Sequence, residues 1–223
     1  MKKPFVFLAV TLIALAGFTS MAGASLLFDL GQGNAAINSY PAPFATVSVT
    51  RTSGTTADIE FQSLTHDGFV YLFGANGAVG VNVNATSWTL SALSGSNSNA
   101  GFTSGPLSNG GSANEDGFGA FNQTIDSFDG YGHSSDYVKF TLTNTSGSWG
   151  ADSDVLTGNA NGFRAAAHIF VTSDPANLQN GALAPAMPLR AGEPRAFPSR
   201  PPCCSWAWAW PALVRAVAAR SKK

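Results

Sequence analysis

Apolar and polar residues alternate with a period of two along most of this chain, in short runs separated by Gly, Ser, Asn and Thr. In residues 44–51, Ala45, Val47 and Val49 alternate with Phe44, Thr46 and Ser48; in 137–144, Val138, Phe140 and Leu142 occupy every second position. Such alternation gives a strand one buried and one solvated face, the habit of antiparallel sheets. It predicts strands at 26–30, 44–51, 57–64, 68–74, 78–83, 87–93, 137–144 and 165–171. Asn76-Gly77, between two of these runs, is a two-residue hairpin signal, and His66-Asp67 before Gly68 marks another hairpin end. Helical periodicity is never sustained for three turns between 25 and 184, and only 153–156 has room for a short helix. Residues 94–114, mostly Ser, Asn and Gly around Phe102 and Leu107, are expected to form a long exposed loop or a pair of weak strands. The fold class that follows is all-β, an antiparallel two-sheet sandwich of jelly-roll-like type.

The two ends have a different texture. Lys2 and Lys3, the apolar run 5–18 and the small residues Ala22-Gly23-Ala24 predict a secretory signal peptide over 1–24, cleaved by signal peptidase before Ser25. A retained anchor would need roughly 20 continuous apolar residues. The domain is expected over 25–184, followed by a tail over 185–223 in which Pro185, Pro188, Pro194, Pro198, Pro201 and Pro202 disfavour helix and central strand alike.

Charge divides the chain at the same boundary. Residues 25–184 hold three basic residues, Arg51, Lys139 and Arg164, against twelve acidic ones, a net charge of −9, whereas 185–223 carries +6. An acidic domain repels phosphate backbones, so nucleic acid is not an expected partner; cations and neutral glycans are compatible. The only cysteines, Cys203 and Cys204, are adjacent in the tail, so packing and not disulfides must hold the domain together.

The leader, the thiol-free Gly/Asn/Thr-rich domain and several segments together resemble exported bacterial PEP-CTERM proteins. The segments are the stretch from Asp116 to Gly130 leading to His133 and Asp136, then Phe140 to Asn144, Trp149, Asp154 to Thr157, and Ala165 to Val171. The likeness covers roughly residues 1–175. It implies a non-enzymatic extracellular or cell-envelope protein, associated with the surface or the exopolysaccharide matrix. Members of that family end in Pro-Glu-Pro, a transmembrane helix and an Arg cluster, which an exosortase processes. Here only Glu193-Pro194 follows that pattern, after Gly192.

The genetic code bears on this departure. Read from the third base of each codon, the Trp and Ala codons across 205–212 are forced to encode Leu, Met or Val alternating with Gly, and the Cys203-Cys204 junction encodes Leu. The codons across 215–219 then fall among Arg, Gly, Ser and Cys. An apolar segment followed by an Arg-rich one is what the family tail requires. The hypothesis is a frame slip just after Pro194, which leaves exosortase a partner only if the intact tail is encoded; resequencing that returns a single frame through Lys223 would refute it.

The densest polar constellation is Asp126, Asp129, His133 and Asp136. Carboxylates among backbone carbonyls suit calcium, with Asp126, Asp129 and Asp136 as the metal candidates. Two carboxyls across a cleft would suit glycoside hydrolysis. Asp in Gly/Ser loops also caps turns, with no ligand involved. No zinc, Ser-His-Asp, GxSxG or P-loop pattern is present, and no catalytic residue is assigned. Trp149 and Tyr131 are candidates for stacking on extracellular polysaccharide, alongside Trp88, Tyr71 and Tyr137; for all five the alternative role is core filling, above all for Trp88 within its alternating strand. His168 sits in an apolar run as a hydrogen-bonded strand histidine. Asn84, Asn122 and Asn144 begin Asn-x-Ser/Thr sequons.

Overall fold

The computed structural model describes residues 25–127, 130–176 and 181–191. The predicted leader, the tail beyond 191 with Cys203 and Cys204, and Asp129 lie outside the described residues.

The described residues form twelve strands and two short 3₁₀ turns. The strands are β1 (Leu26–Gly33), β2 (Ala45–Arg51), β3 (Thr56–Ser63), β4 (Thr65–His66), β5 (Phe69–Phe73), β6 (Val79–Val81), β7 (Trp88–Ser96), β8 (Leu107–Glu115), β9 (Gly119–Ser127), β10 (Tyr137–Asn144), β11 (Ala165–Thr172) and β12 (Ala184–Ala191). Every pairing is antiparallel, and the hydrogen-bonded order is β7-β10-β3-β2-β1-β12-β11-β6-β9-β8, with β5 also on β11. β1 joins the two layers. Its first half pairs with β2, its second half with β12, and the register shifts between Leu30 and Gln32.

The two layers pack face to face into the all-β sandwich that the period-two pattern predicts. Ala45, Val47 and Val49 of β2, Ile59 and Phe61 of β3, and Val138, Phe140 and Leu142 of β10 form one buried face. Val79, Val81, Ile125, Ala167, Ile169 and Val171 supply the other. Aromatic contacts cross between the layers. The Phe61 ring meets Phe73 edge-on at 6.1 Å, and Phe44 meets Tyr71 at 5.1 Å. Each fully buried side chain of this size stabilises the fold by roughly 1.5–3 kcal/mol.

One turn differs from the sequence pattern. The turn at Asn76-Gly77 does not close a hairpin: β5 and β6 both pair with β11 and not with each other. Residues 74–78 instead bulge outward opposite His168, whose carbonyl accepts from Gly74 and whose amide donates to Ala78. The hairpin at 66–69 does form, with Asp67 and Gly68 both at positive φ. Residues 94–114, read as loop or weak strands, contribute the end of β7 and most of β8, whose edge position tolerates a polar sequence.

β12 passes the boundary placed at Ala184 and runs through Pro185 and Pro188, between β1 and β11. The register explains how a central strand accepts two prolines. Pro188 lies just beyond the last β1 pairing, Gly33 with Leu189, and Pro185 falls within the register shift between Ile169 and Val171. Neither proline therefore deprives a regular ladder of a donor.

Candidate functional site

The two predicted aspartates that lie among the described residues, Asp126 and Asp136, hold different segments. Asp126 lies on β9, and its Oδ1 accepts the Gly77 amide at 2.8 Å. Asp136 precedes β10, and its Oδ2 accepts the amide of Ser98 at 2.8 Å together with the Ser98 hydroxyl. Each carboxylate thus anchors a different loop. His133 sits in the 3₁₀ turn Tyr131–His133, its Nδ1 3.2 Å from the Gly105 carbonyl oxygen. Among the described residues no group of three or more His, Cys, Asp or Glu side chains is placed to hold a metal ion.

Trp149 and Tyr131 also occupy separate places. Trp149 is 3 % exposed and donates from Nε1 to the Asn84 carbonyl at 2.8 Å. Tyr131 is half-buried, with its ring edge-on to Phe102 at 5.0 Å and to Phe170 at 5.6 Å.

Trp149 forms part of a cleft of about 690 Å³. It lies where the chain leaves β6, with walls from residues 82–86, 144–149 and 154–157 and from Asn122 of β9. Three amide side chains are committed to building these walls. Asn122 accepts the Val83 amide at 2.7 Å and donates to the Val83 carbonyl at 2.9 Å, as a strand neighbour would. Asn84 donates to the Asp154 carbonyl at 2.8 Å, and Asn144 Oδ1 accepts the Ser146 amide at 3.0 Å. The side chains of Asn82, Thr86, Ser148 and Thr157 line the same cleft without a hydrogen bond to the rest of the described protein. Asp154 is the one ionisable lining residue, and its Oδ2 is bound to the amides of Gly150 and Ala151. The cleft therefore offers neutral donors and acceptors on a rigid frame, and its volume lies in the range of small-ligand sites, about 300–1,000 Å³.

No known protein family, curated protein or solved structure matches this chain. Geometry and chemistry carry the functional reading.

A second polar centre lies on the outer face of the layer that holds β6, β9 and β11. Glu115, at the end of β8, is fully buried. The absence of side chains makes its cavity: a Cβ on Gly77 would sit 2.2 Å from Glu115 Oε1, and one on Gly80 would sit 3.6 Å away. Its Oε2 lies 3.2 Å from Nδ1 of His168 on β11. That nitrogen is only 2.6 Å from the Asn76 carbonyl oxygen. A carbonyl only accepts, so Nδ1 carries its hydrogen toward Asn76, and neither carboxyl oxygen receives a hydrogen bond. Burial, reinforced by Asp116 and Asp126, pushes the Glu115 carboxyl up to about 8. Burial also holds His168 below its ordinary value, against the opposing pull of its backbone partners at Asn76 and Gly77.

Neither centre was singled out by sequence. The three sequon asparagines Asn84, Asn122 and Asn144 fall on the cleft walls, as does Trp149, the stacking candidate, so four residues noted in the sequence lie there although nothing in the sequence grouped them. Glu115 precedes an Asp116-Gly117 turn, a context that ordinarily leaves a carboxylate in water.

Proposed function

We propose that this chain is a non-enzymatic protein of the cell surface or exopolysaccharide matrix that holds a neutral glycan in the cleft built by residues 82–86 and 144–149. The carrying observation is a hydrogen-bonding cleft lined by amide and hydroxyl side chains, with Asp154 as its one ionisable residue and no cation in its lining, on an acidic domain. Sugar hydroxyls match free amide and hydroxyl groups, whereas phosphate or an anionic sugar would find no Lys or Arg among the lining residues. A glycoside hydrolase needs two carboxyls facing each other. The cleft holds only Asp154, and that side chain caps the backbone at 150–151.

In this reading the leader directs export through the secretion machinery, in keeping with the resemblance to PEP-CTERM proteins. Cell fractionation that found the untrimmed chain in the cytosol would refute this half of the proposal. The cleft is tested by isothermal titration of the full chain with neutral oligosaccharides. Replacing Asn82 and Thr86 together by Ala is expected to weaken binding about tenfold or more, the equivalent of losing about 1.4 kcal/mol of contacts. Binding unchanged by the double substitution, or no binding to any neutral glycan, would rule out the cleft as the site.

A further inference from the structure

We propose that the buried, unpaired Glu115 carboxyl beside His168 acts as a proton-operated latch: while protonated it lets the β8–β9 hairpin stay closed over β11 and the 74–78 bulge, and its ionisation loosens the hairpin as the medium turns alkaline. Glu115 reaches from the end of β8 into the cavity under Gly77 and Gly80, where His168 Nδ1 lies 3.2 Å from its Oε2 and neither carboxyl oxygen has a hydrogen-bond partner among the described residues. A carboxylate buried without donors is costly, so the closed arrangement keeps a proton on the carboxyl, and deprotonation passes that proton to solvent. The other charged groups facing it are Asp116 in the turn after β8 and Asp126 on β9, both acidic, so they oppose ionisation further. The remaining walls, β6 and the 75–78 turn, contribute Gly80, Gly77 and backbone, without a cation.

The hairpin has an apolar underside to uncover. Phe121 is fully buried beneath it, and Phe118 packs edge-on against Phe163 at 5.6 Å, with Ala166 of β11 completing the cluster. Asn159 ties the hairpin from the other side by donating to the carbonyls of Phe118 and Ala120. Opening the latch would leave β9 held by its ladder with β6 and by the Asp126–Gly77 bond, so the loosening is confined to the turn end of the hairpin, where the Asn159 bonds remain and the Phe118–Phe121 surface would be exposed.

The sign of the pH dependence follows from both members. Glu115 binds its proton more tightly closed than open, so its contribution is fully present below its ordinary value of 4.5 and declines until pH reaches about 8. His168 is lowered, so it opposes closure only as pH falls below its ordinary 6.5. The two slopes offset each other in mild acid, and the net loosening appears between pH 6.5 and about 8.

The test is hydrogen exchange on the full chain, with rates corrected for intrinsic pH dependence. Amides at 115–121 are expected to lose about tenfold in protection between pH 6.5 and 8.5, while those of β3 and β10 change little. Glu115→Gln, which keeps the shape and cannot ionise, is expected to abolish the difference. Equal loss across all strands, or an unchanged pH dependence in Glu115→Gln, would overturn the latch. Should that variant fail to fold, the carboxyl ¹³C titration of Glu115 in the unsubstituted chain decides: a midpoint near 8 supports the latch, and one near 4.5 removes it.

Discussion

Phe61→Ala is expected to lower the free energy of unfolding by about 3–5 kcal/mol, the largest effect of any single truncation in this domain. Phe61 is fully buried at the centre of β3, opposite Val47 on one neighbour and Val138 on the other. Its ring lies offset over Phe140 at 6.4 Å within its own layer and meets Phe73 of the facing layer. Truncation removes apolar area and also leaves a void between layers that paired backbones cannot move to fill. Chemical denaturation measures the loss directly, with an unchanged m-value showing that the same surface is exposed on unfolding. A loss under about 1 kcal/mol would mean that the two layers do not share a core at this point.

Asn122→Ala is expected to cost about 2–4 kcal/mol, out of proportion to the size of the side chain removed. Both polar atoms of Asn122 pair with Val83, a residue only 2 % exposed, so truncation leaves a backbone donor and acceptor unsatisfied together. Asn122→Asp separates the two bonds. The carboxylate still accepts from the Val83 amide but repels the Val83 carbonyl, so this variant should be destabilised at neutral pH and partly rescued as the carboxyl protonates in acid. Because Val83 lies between Asn82 and Asn84 on the cleft wall, glycan affinity should fall in both variants. Full stability in Asn122→Ala would show that water replaces the side chain there and that the wall is not rigid.

These two predictions mark where sequence was informative and where it was not. The strands around Phe61 were legible because alternation over seven or eight residues leaves one face apolar, and a one-residue slip would bury Thr46, Ser48 and Glu60 in place of Val47, Val49 and Phe61. β9 was harder. Phe121 and Ile125 sit among Asn, Gln, Thr and Asp, a composition that also describes a loop. β8 is nearly all Gly, Ser, Asn and Ala, and it pairs because β9 supplies a ladder, with two register shifts absorbing the mismatch. β12 was masked by its prolines, whose tolerance depends on where its neighbours' ladders stop.

Site residues follow the same division. Asp126 and Asp136 are ten positions apart and look like one cluster in sequence, yet β9 and β10 belong to distant parts of the hydrogen-bonded order and aim them at different loops. Glu115 and His168 are far apart in sequence and lie on strands that β6 and β9 separate in the hydrogen-bonded order, yet they meet over the outer face of that layer, where Gly77 and Gly80 leave room for the carboxyl.

By itself, the sequence determined a thiol-free, acidic, all-β domain with strands whose inner faces are set by period-two alternation, since a sustained alternation leaves one face of a strand apolar. Tertiary structure alone decided which polar groups meet: the cleft framed by Asn84, Asn122 and Asn144, and the buried pair of Glu115 and His168. The physical reason is that alternation states which face of a strand is inward but carries no record of which strands become neighbours, and polar chemistry requires neighbours.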